Sequence, residues 1–206
     1  MEGYKTVRSL AHTEYIEKRS KFIGHICAVT TEEEALSFIG GVKKKYFDAT
    51  HNIYAYVLRE GQIRRFSDDG EPQGTAGIPT LEVLLKEEIV DCVVVITRYF
   101  GGTMLGAGGL TRAYSHTAKE AILAGEIVEM APFLMYQTEC NYNQYEKIQS
   151  LIHKFSGKII NSEFLAEVLL ELAIPKQFES SFLKELNEGT NGSVLLKYVD
   201  EKFFDN

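Results

Sequence analysis

Cysteine is scarce and dispersed: Cys27, Cys92 and Cys140 stand far apart in apolar, strand-like surroundings, and no pair has CxxC spacing. That excludes a zinc or redox motif and leaves reduced, buried thiols. The histidines are scattered as well, none in an HxxxH or HExxH arrangement, so no metal site is expected. Long apolar runs are missing. The stretch from Cys92 to Ile96 falls far short of the roughly 20 residues that a membrane span needs. The opening MEGYKTVRSLAHTEYIEK lacks the basic-then-apolar order of a signal peptide, which makes a soluble, cytoplasmic protein the expectation. Positive charge is short too. With a formal net charge of −7, the 206-residue chain has no global basic footprint, and any nucleic-acid contact needs a local patch. EKRSK at 17–21, KKK at 43–45 and RR at 64–65 are the candidates, each equally readable as a solvated face or turn.

What is present is alternation of two kinds. In the last third, Leu134, Tyr136, Thr138 and Cys140 share one face of a strand, and Tyr145, Ile148, Ile152 and Phe155 follow at helical spacing behind an N-cap at Asn141 or Asn143. Two strands come next, GKIINSEF and AEVLLELAI, then a helix opening at Pro175 and stopping at Gly189, then SVLLKYV as a last strand. The order βαββαβ is the split βαβ, ferredoxin-like unit. Ahead of it, HTEYIEKRSKFIGHICAV reads as one bent strand or two paired ones, and TEEEALSFIGGVKKKYF as a helix capped by Thr30 or Thr31. A hairpin turning near Glu60-Gly61, a helix from Thr75, a strand at DCVVVIT buried on both faces and a long helix from Leu105 to Gly125 complete the reading. Ala131-Pro132 is the expected hinge, dividing the chain into an α+β domain, 1–131, and a ferredoxin-like domain, 132–206.

Two stretches carry chemistry. RYFGGTMLGAGGLTRAYSHT, 98–117, is glycine-rich behind an apolar strand. It is no Walker loop, since Ala107 and Gly108 stand where lysine and a hydroxyl residue are needed. It is a poor dinucleotide fingerprint, with Thr111 in place of the third glycine, and only loosely resembles the glycine loop of the GHMP kinases. Its small residues Gly106, Gly109, Ala113, Thr117, Ala121 and Ala124 suggest close packing of helix on sheet. Gly101, Gly102 and Gly108 suit a turn that can bind a ligand, and the flanking Arg98 and Arg112 present an anion site there. The second stretch, FSDDGEPQGTAGIPT at 66–80, clusters Asp68, Asp69 and Glu71, with Thr75 as helix cap. Such carboxylates fix turns or dock partners; in an enzyme they would hold magnesium. No catalytic residue, cofactor or metal is assigned.

FSDDGEPQGTAGIPTLEVL followed by VVVITRYFGGTMLGAGGLTRAYS resembles the signature of the IMPACT family, in its bacterial YigZ branch. The matching positions include Asp68, Asp69, Glu71, Thr75, Arg98, Tyr99, Gly101, Gly102, Gly108 and Arg112. The resemblance implies a first domain with the fold of the second domain of ribosomal protein five of the small subunit. It implies a second, ferredoxin-like domain similar to the last domain of elongation factor G. Eukaryotic members resemble translation regulators that act through an additional amino-terminal domain, for which this chain has no room, so that activity is not expected here. The first expectation is a non-enzymatic regulator binding RNA, the ribosome or a translation-factor partner. The alternatives are an enzyme or small-molecule binder holding a phosphorylated ligand on the glycine loop, and an interaction module in which both motifs are architectural.

Overall fold

The computed structural model describes residues 2–205. The chain divides into two compact units, one spanning Tyr4–Glu129 and the other running from Met130 and including Gly3. The first holds β1 (Tyr4–Val7), β2 (Ala11–Glu17), β3 (Ser20–Ala28), α1 (Glu32–Lys45), β4 (His51–Leu58), β5 (Ile63–Ser67), α2 (Gly77–Lys86), β6 (Cys92–Tyr99) and α3 (Ala107–Ala124). Its sheet runs β2-β3-β6-β4-β5, every neighbouring pair antiparallel. The expected strand DCVVVIT is the central one, and its apolar run is explained by burial on two sides. Val93 and Val95 pack with Ala35, Ile39 and Val42 of α1, whereas Val94 and Ile96 pack with Leu84 of α2 and Tyr114, Ala118 and Ala121 of α3. Thr31 caps α1 in a reciprocal capping box with Glu34, as the sequence suggested. Of the two readings for residues 12–29, two paired strands form.

The second unit contains the C-terminal part of β7 (Ile127–Cys140), then α4 (Tyr142–Lys154), β8 (Lys158–Phe164), β9 (Val168–Pro175), α5 (Glu179–Thr190) and β10 (Lys197–Asp205). Within it the antiparallel strand order is β10-β7-β9-β8. One face packs Leu134, Tyr136, Leu170 and Leu172 against Ile148, Ile152, Phe182 and Leu186 of the two helices. The other face carries Glu139, Glu163 and Glu171 beside a small cluster of Phe133, Met135 and Phe204. Asn141 caps α4, with Gln144 closing the box. Three details differ from the sequence reading. Pro175 ends β9, and α5 starts only at Glu179 and continues through Gly189 to a left-handed cap at Asn191. The last strand starts at Lys197 rather than Ser193. Ala131 and Pro132 lie inside β7, opposite Phe204 and Phe203 of β10 and just before the ladder to β9 begins at Phe133, so the chain runs through this point as strand. No helix among the described residues is long and apolar enough to cross a membrane.

His25 sits on β3, 7% exposed, where burial foremost, then the charges of Lys45 and His12, lower its pKa from 6.5 to about 4. The proton therefore prefers the unfolded chain. Stability is intact above the unfolded value and is lost as pH falls from about 6.5 through about 4. At pH 5 this one group should remove roughly 2 kcal/mol relative to pH 7. Urea unfolding at the two pH values should show the loss in the native chain and a smaller one in His25→Phe.

Candidate functional site

The acidic turn is built around Asp68. Its Oδ1 accepts from the backbone N–H groups of Ala76 (3.1 Å) and Gly77 (2.7 Å), and its Oδ2 from Gly74 (2.8 Å). Asp68 thus performs the capping expected of Thr75, whose hydroxyl instead donates to the Pro72 carbonyl at 2.7 Å. Asp69 is held at φ 45° with its carboxylate between Lys43 Nζ of α1 (2.6 Å) and the backbone N–H of Asn52 (2.7 Å). Its carbonyl accepts from His51 Nδ1 at 2.8 Å. Each acid is therefore spoken for by a cation or by N–H donors.

Glu71 is different because it is buried, 7% exposed, and so is its partner Arg98, 5% exposed. Glu71 Oε1 accepts from Arg98 Nη1 and from the Tyr114 hydroxyl, both at 2.6 Å. Arg98 Nη2 reaches Ser20 Oγ at 3.4 Å, and the guanidinium lies against the rings of Phe22 and Phe100. Its Nε is the one buried side-chain polar atom among the described residues without a hydrogen-bond partner. Burial, then the neighbouring Glu71 carboxylate, push the Tyr114 hydroxyl far above its ordinary range. This corrects the expectation that Arg98 presents itself to an anion, since a 2.6 Å ion pair excluded from water leaves its charge already matched. The two motifs do meet, through Glu71 and Arg98. Asp69 does not join them: it faces Lys43 of α1, while Arg98, alternating with Val94 and Ile96, faces α3. No group of three or more metal-ligating side chains forms among the described residues.

The glycines divide differently from their sequence reading. Gly101 is the tightest: a Cβ there would lie 2.0 Å from the carbonyl carbon of Arg19, and its N–H donates to Ser20 Oγ at 3.1 Å. It is a packing glycine that locks the loop onto the β2–β3 turn. Gly106, expected to pack, meets nothing within 4 Å of such a Cβ and takes φ 71° as the N-cap of α3. Gly102 also needs its positive φ, 82°. Gly108 is open apart from Arg112 Nη1 at 3.6 Å. The close approach of α3 to the sheet is made instead by Gly24 of β3, against Thr117 and Ala121. Tyr99 donates to Asp48 at 2.8 Å, and the Phe100 N–H to Thr50 Oγ1 at 3.1 Å, which ties the loop to the chain following α1.

The β2–β3 turn that this loop touches carries two cations, directly after Glu17. The β2–β3 hairpin turns through Lys18 and Arg19, both with positive φ (47° and 70°), a conformation usually supplied by asparagine and glycine. Both side chains are exposed. Arg112 stands one turn before His116, which packs on Tyr15 of β2 with ring centroids 4.4 Å apart. Lys18, Arg19 and Arg112 make no hydrogen bond or ion pair among the described residues. No side chain caps the adjacent start of α3. Phe100 and Met104, 49% and 87% exposed, border this surface. Sequence reasoning had EKRSK as a basic candidate but no signal for its strained turn, since neither residue is a usual turn former.

Comparison with known proteins adds the following. Residues 18–122 match the model of the Impact N-terminal domain, and residues 138–193 match a domain of unknown function, DUF1949. The chain is 37% identical to the IMPACT family member YvyE of Bacillus subtilis, over 96% of this chain and 91% of that one. It is 35% identical to the IMPACT family member YigZ of Escherichia coli, over 89% and 92%. A protein IMPACT homolog of Dictyostelium discoideum is 39% identical over 48% of this chain but only 29% of its own length. A crystal structure of a hypothetical protein, 33% identical, superposes over 97% of this chain and 98% of that one with a TM-score of 0.62.

Proposed function

The chain belongs to the IMPACT family, and we propose that it is a non-enzymatic, cytoplasmic, translation-associated protein that binds RNA through the cations of its β2–β3 turn and of the opening turns of α3. The observation that carries this reading is that three exposed cations make no hydrogen bond or ion pair among the described residues, Lys18 and Arg19 at the hairpin tip that Gly101 touches and Arg112 in the opening turns of the uncapped α3, in a chain of net charge −7. Phosphates fit there: each cation can release a counterion, the helix N–H groups favour negative charge, and the exposed Phe100 offers a ring for a base. The strained turn supports the reading further, because a left-handed residue other than glycine costs about 1 kcal/mol or more and is kept where something else is gained. The acidic face of the second unit, with Glu139, Glu163 and Glu171, repels phosphate and favours a small footprint. We read the first unit as the fold of the second domain of small-subunit ribosomal protein five. The order β10-β7-β9-β8 supports a ferredoxin-like second unit like the last domain of elongation factor G.

The test pairs binding with stability. Fluorescence anisotropy with a single-stranded RNA is measured over a salt series for the native chain, Arg112→Ala and the double variant Lys18→Asn, Arg19→Gly. Asparagine-glycine suits the turn better, so the double variant should gain about 1 kcal/mol of stability while losing RNA affinity. Each cation removed should flatten the slope of log K against log salt by about 0.7. Sedimentation of lysate at low and moderate salt should place the native chain with ribosomal subunits and the variants in free fractions. Unchanged affinity and slope in both variants would sink the proposal, and retained ribosome association without RNA affinity would assign the surface to a protein partner instead.

A further inference from the structure

On the face of the first sheet that carries α1, the second half of that helix and strands β2 and β3 enclose a groove of about 320 Å³ that the RNA reading does not use. Its walls are apolar at Leu10, Phe38 and Val42. Three polar groups converge on it. His12 and His25 stand directly opposite each other on β2 and β3, and Lys45 closes one end, its Nζ 5.1 Å from the centre of the Tyr46 ring.

Two independent features of the groove point to a ligand, although one of them, His25, also packs on the Tyr46 ring at 5.0 Å between centroids. The first is Gly41, which lies in the groove wall next to Gly40 in the middle of α1. Paired glycines weaken a helix interior, and a Cβ at either position would meet nothing within 4 Å, so neither glycine is needed for packing against the protein itself. A glycine at such a place permits close approach of another molecule to the helix backbone. The second is His25, more than nine-tenths buried. Its Nε2 lies 3.5 Å from Thr97 Oγ1, whose proton goes to Asn52 Oδ1 at 2.7 Å, so the tautomer protonated on Nε2 is the one this neighbour favours. Nδ1 is then an acceptor, and it has no partner among the described residues.

We propose that this groove is a binding site for a small planar heteroaromatic carboxylate, with its ring against Phe38 and the open backbone at Gly41, its carboxylate on Lys45, and a ring N–H donated to His25. The volume falls within the range of small-ligand sites, and apolar walls with a few placed polar groups are their usual composition. Burial keeps His25 neutral at physiological pH, as an acceptor must be.

The experiment uses the full chain and three probes: indole-2-carboxylate, indole-2-carboxamide, which keeps the ring and loses the charge, and benzofuran-2-carboxylate, which keeps the charge and loses the ring N–H. NMR titration follows the His25 ring and the Gly41 amide. Indole-2-carboxylate should shift both saturably, and each analogue should bind about tenfold more weakly. Lys45→Met should bring the carboxylate down to the level of the carboxamide. Gly41→Leu, which fills the groove without lowering the unfolding temperature, should abolish binding of all three. The proposal is overturned if indole-2-carboxylate at millimolar concentration leaves His25 and Gly41 unshifted, if the carboxamide binds as well as the acid, or if Gly41→Leu leaves binding intact. It is equally overturned if the native chain sediments as a dimer that Gly41→Leu dissociates, which would make a second copy the occupant. None of these outcomes depends on RNA affinity.

Discussion

Glu71→Ala should destabilise the first unit by roughly 3–5 kcal/mol, a drop of about 10 °C or more in unfolding temperature for a chain of this size. The loss has little to do with the attraction itself. Removing the carboxylate strands the Arg98 guanidinium where water cannot reach it, with only Ser20 Oγ at 3.4 Å left as a partner, and deprives the Tyr114 hydroxyl of its acceptor. The same physics predicts recovery. Replacing both charged partners, Glu71→Leu with Arg98→Met, should regain most of the stability, because a buried ion pair exchanged for well-packed apolar groups is often neutral or better. Thermal unfolding of the single and double variants decides this. Equal losses in both would mean that the pair is itself strongly stabilising. RNA affinity in the double variant should stay close to native, because Arg98 faces Glu71 and not the surface.

Gly101→Ala and Gly108→Ala should act in opposite directions. At Gly101 the new methyl would collide with the backbone of Arg19 and Ser20, at 2.0 to 2.3 Å, and backbone cannot rotate aside as a side chain can. Either the loop or the hairpin tip must move, at a cost of about 3 kcal/mol, the upper end of overpacking effects. RNA affinity should fall with it, since Lys18 and Arg19 are positioned by that contact. At Gly108 the methyl meets only Arg112 Nη1, at an ordinary 3.6 Å, and alanine is the better helix former, so a gain of roughly 0.5–1 kcal/mol is expected. Unfolding midpoints read both. A neutral Gly101→Ala would show that the hairpin tip is not anchored there.

Which parts of this could be read from the sequence follows from the distance over which each feature is encoded. Thr31 with Glu34 and Asn141 with Gln144 are local signals, and so is the unbroken apolar run of β6, which burial on two faces demands. The succession of the second unit was legible for the same reason. Its misread end was a local competition: Gly189 was the expected stop for α5, and the left-handed Asn191 took the role two residues later. The site was harder because its contacts span long separations. Asp68 caps a helix that starts nine residues later, displacing the nearer Thr75. Glu71 meets Arg98 and Tyr114 across 27 and 43 residues, and Gly101 meets the Arg19–Ser20 turn across some eighty. Composition drew attention to Glu71 and Arg98, but it could not tell a guanidinium already matched by a carboxylate from one awaiting a ligand.

The grip on Asp69 also bears on chemical ageing. In an Asp-Gly dipeptide the backbone nitrogen of the glycine readily attacks the preceding side-chain carboxyl, closing a succinimide that reopens largely to isoaspartate and inserts a methylene into the main chain. Asp69-Gly70 is such a dipeptide, on a partly exposed turn. Here Lys43 and the backbone N–H of Asn52 each hold one oxygen of the carboxylate, which restrains the side-chain rotation that ring closure requires. The bonds that hold the acidic turn in place thereby also lengthen the covalent lifetime of the polypeptide at its most perishable position in that turn.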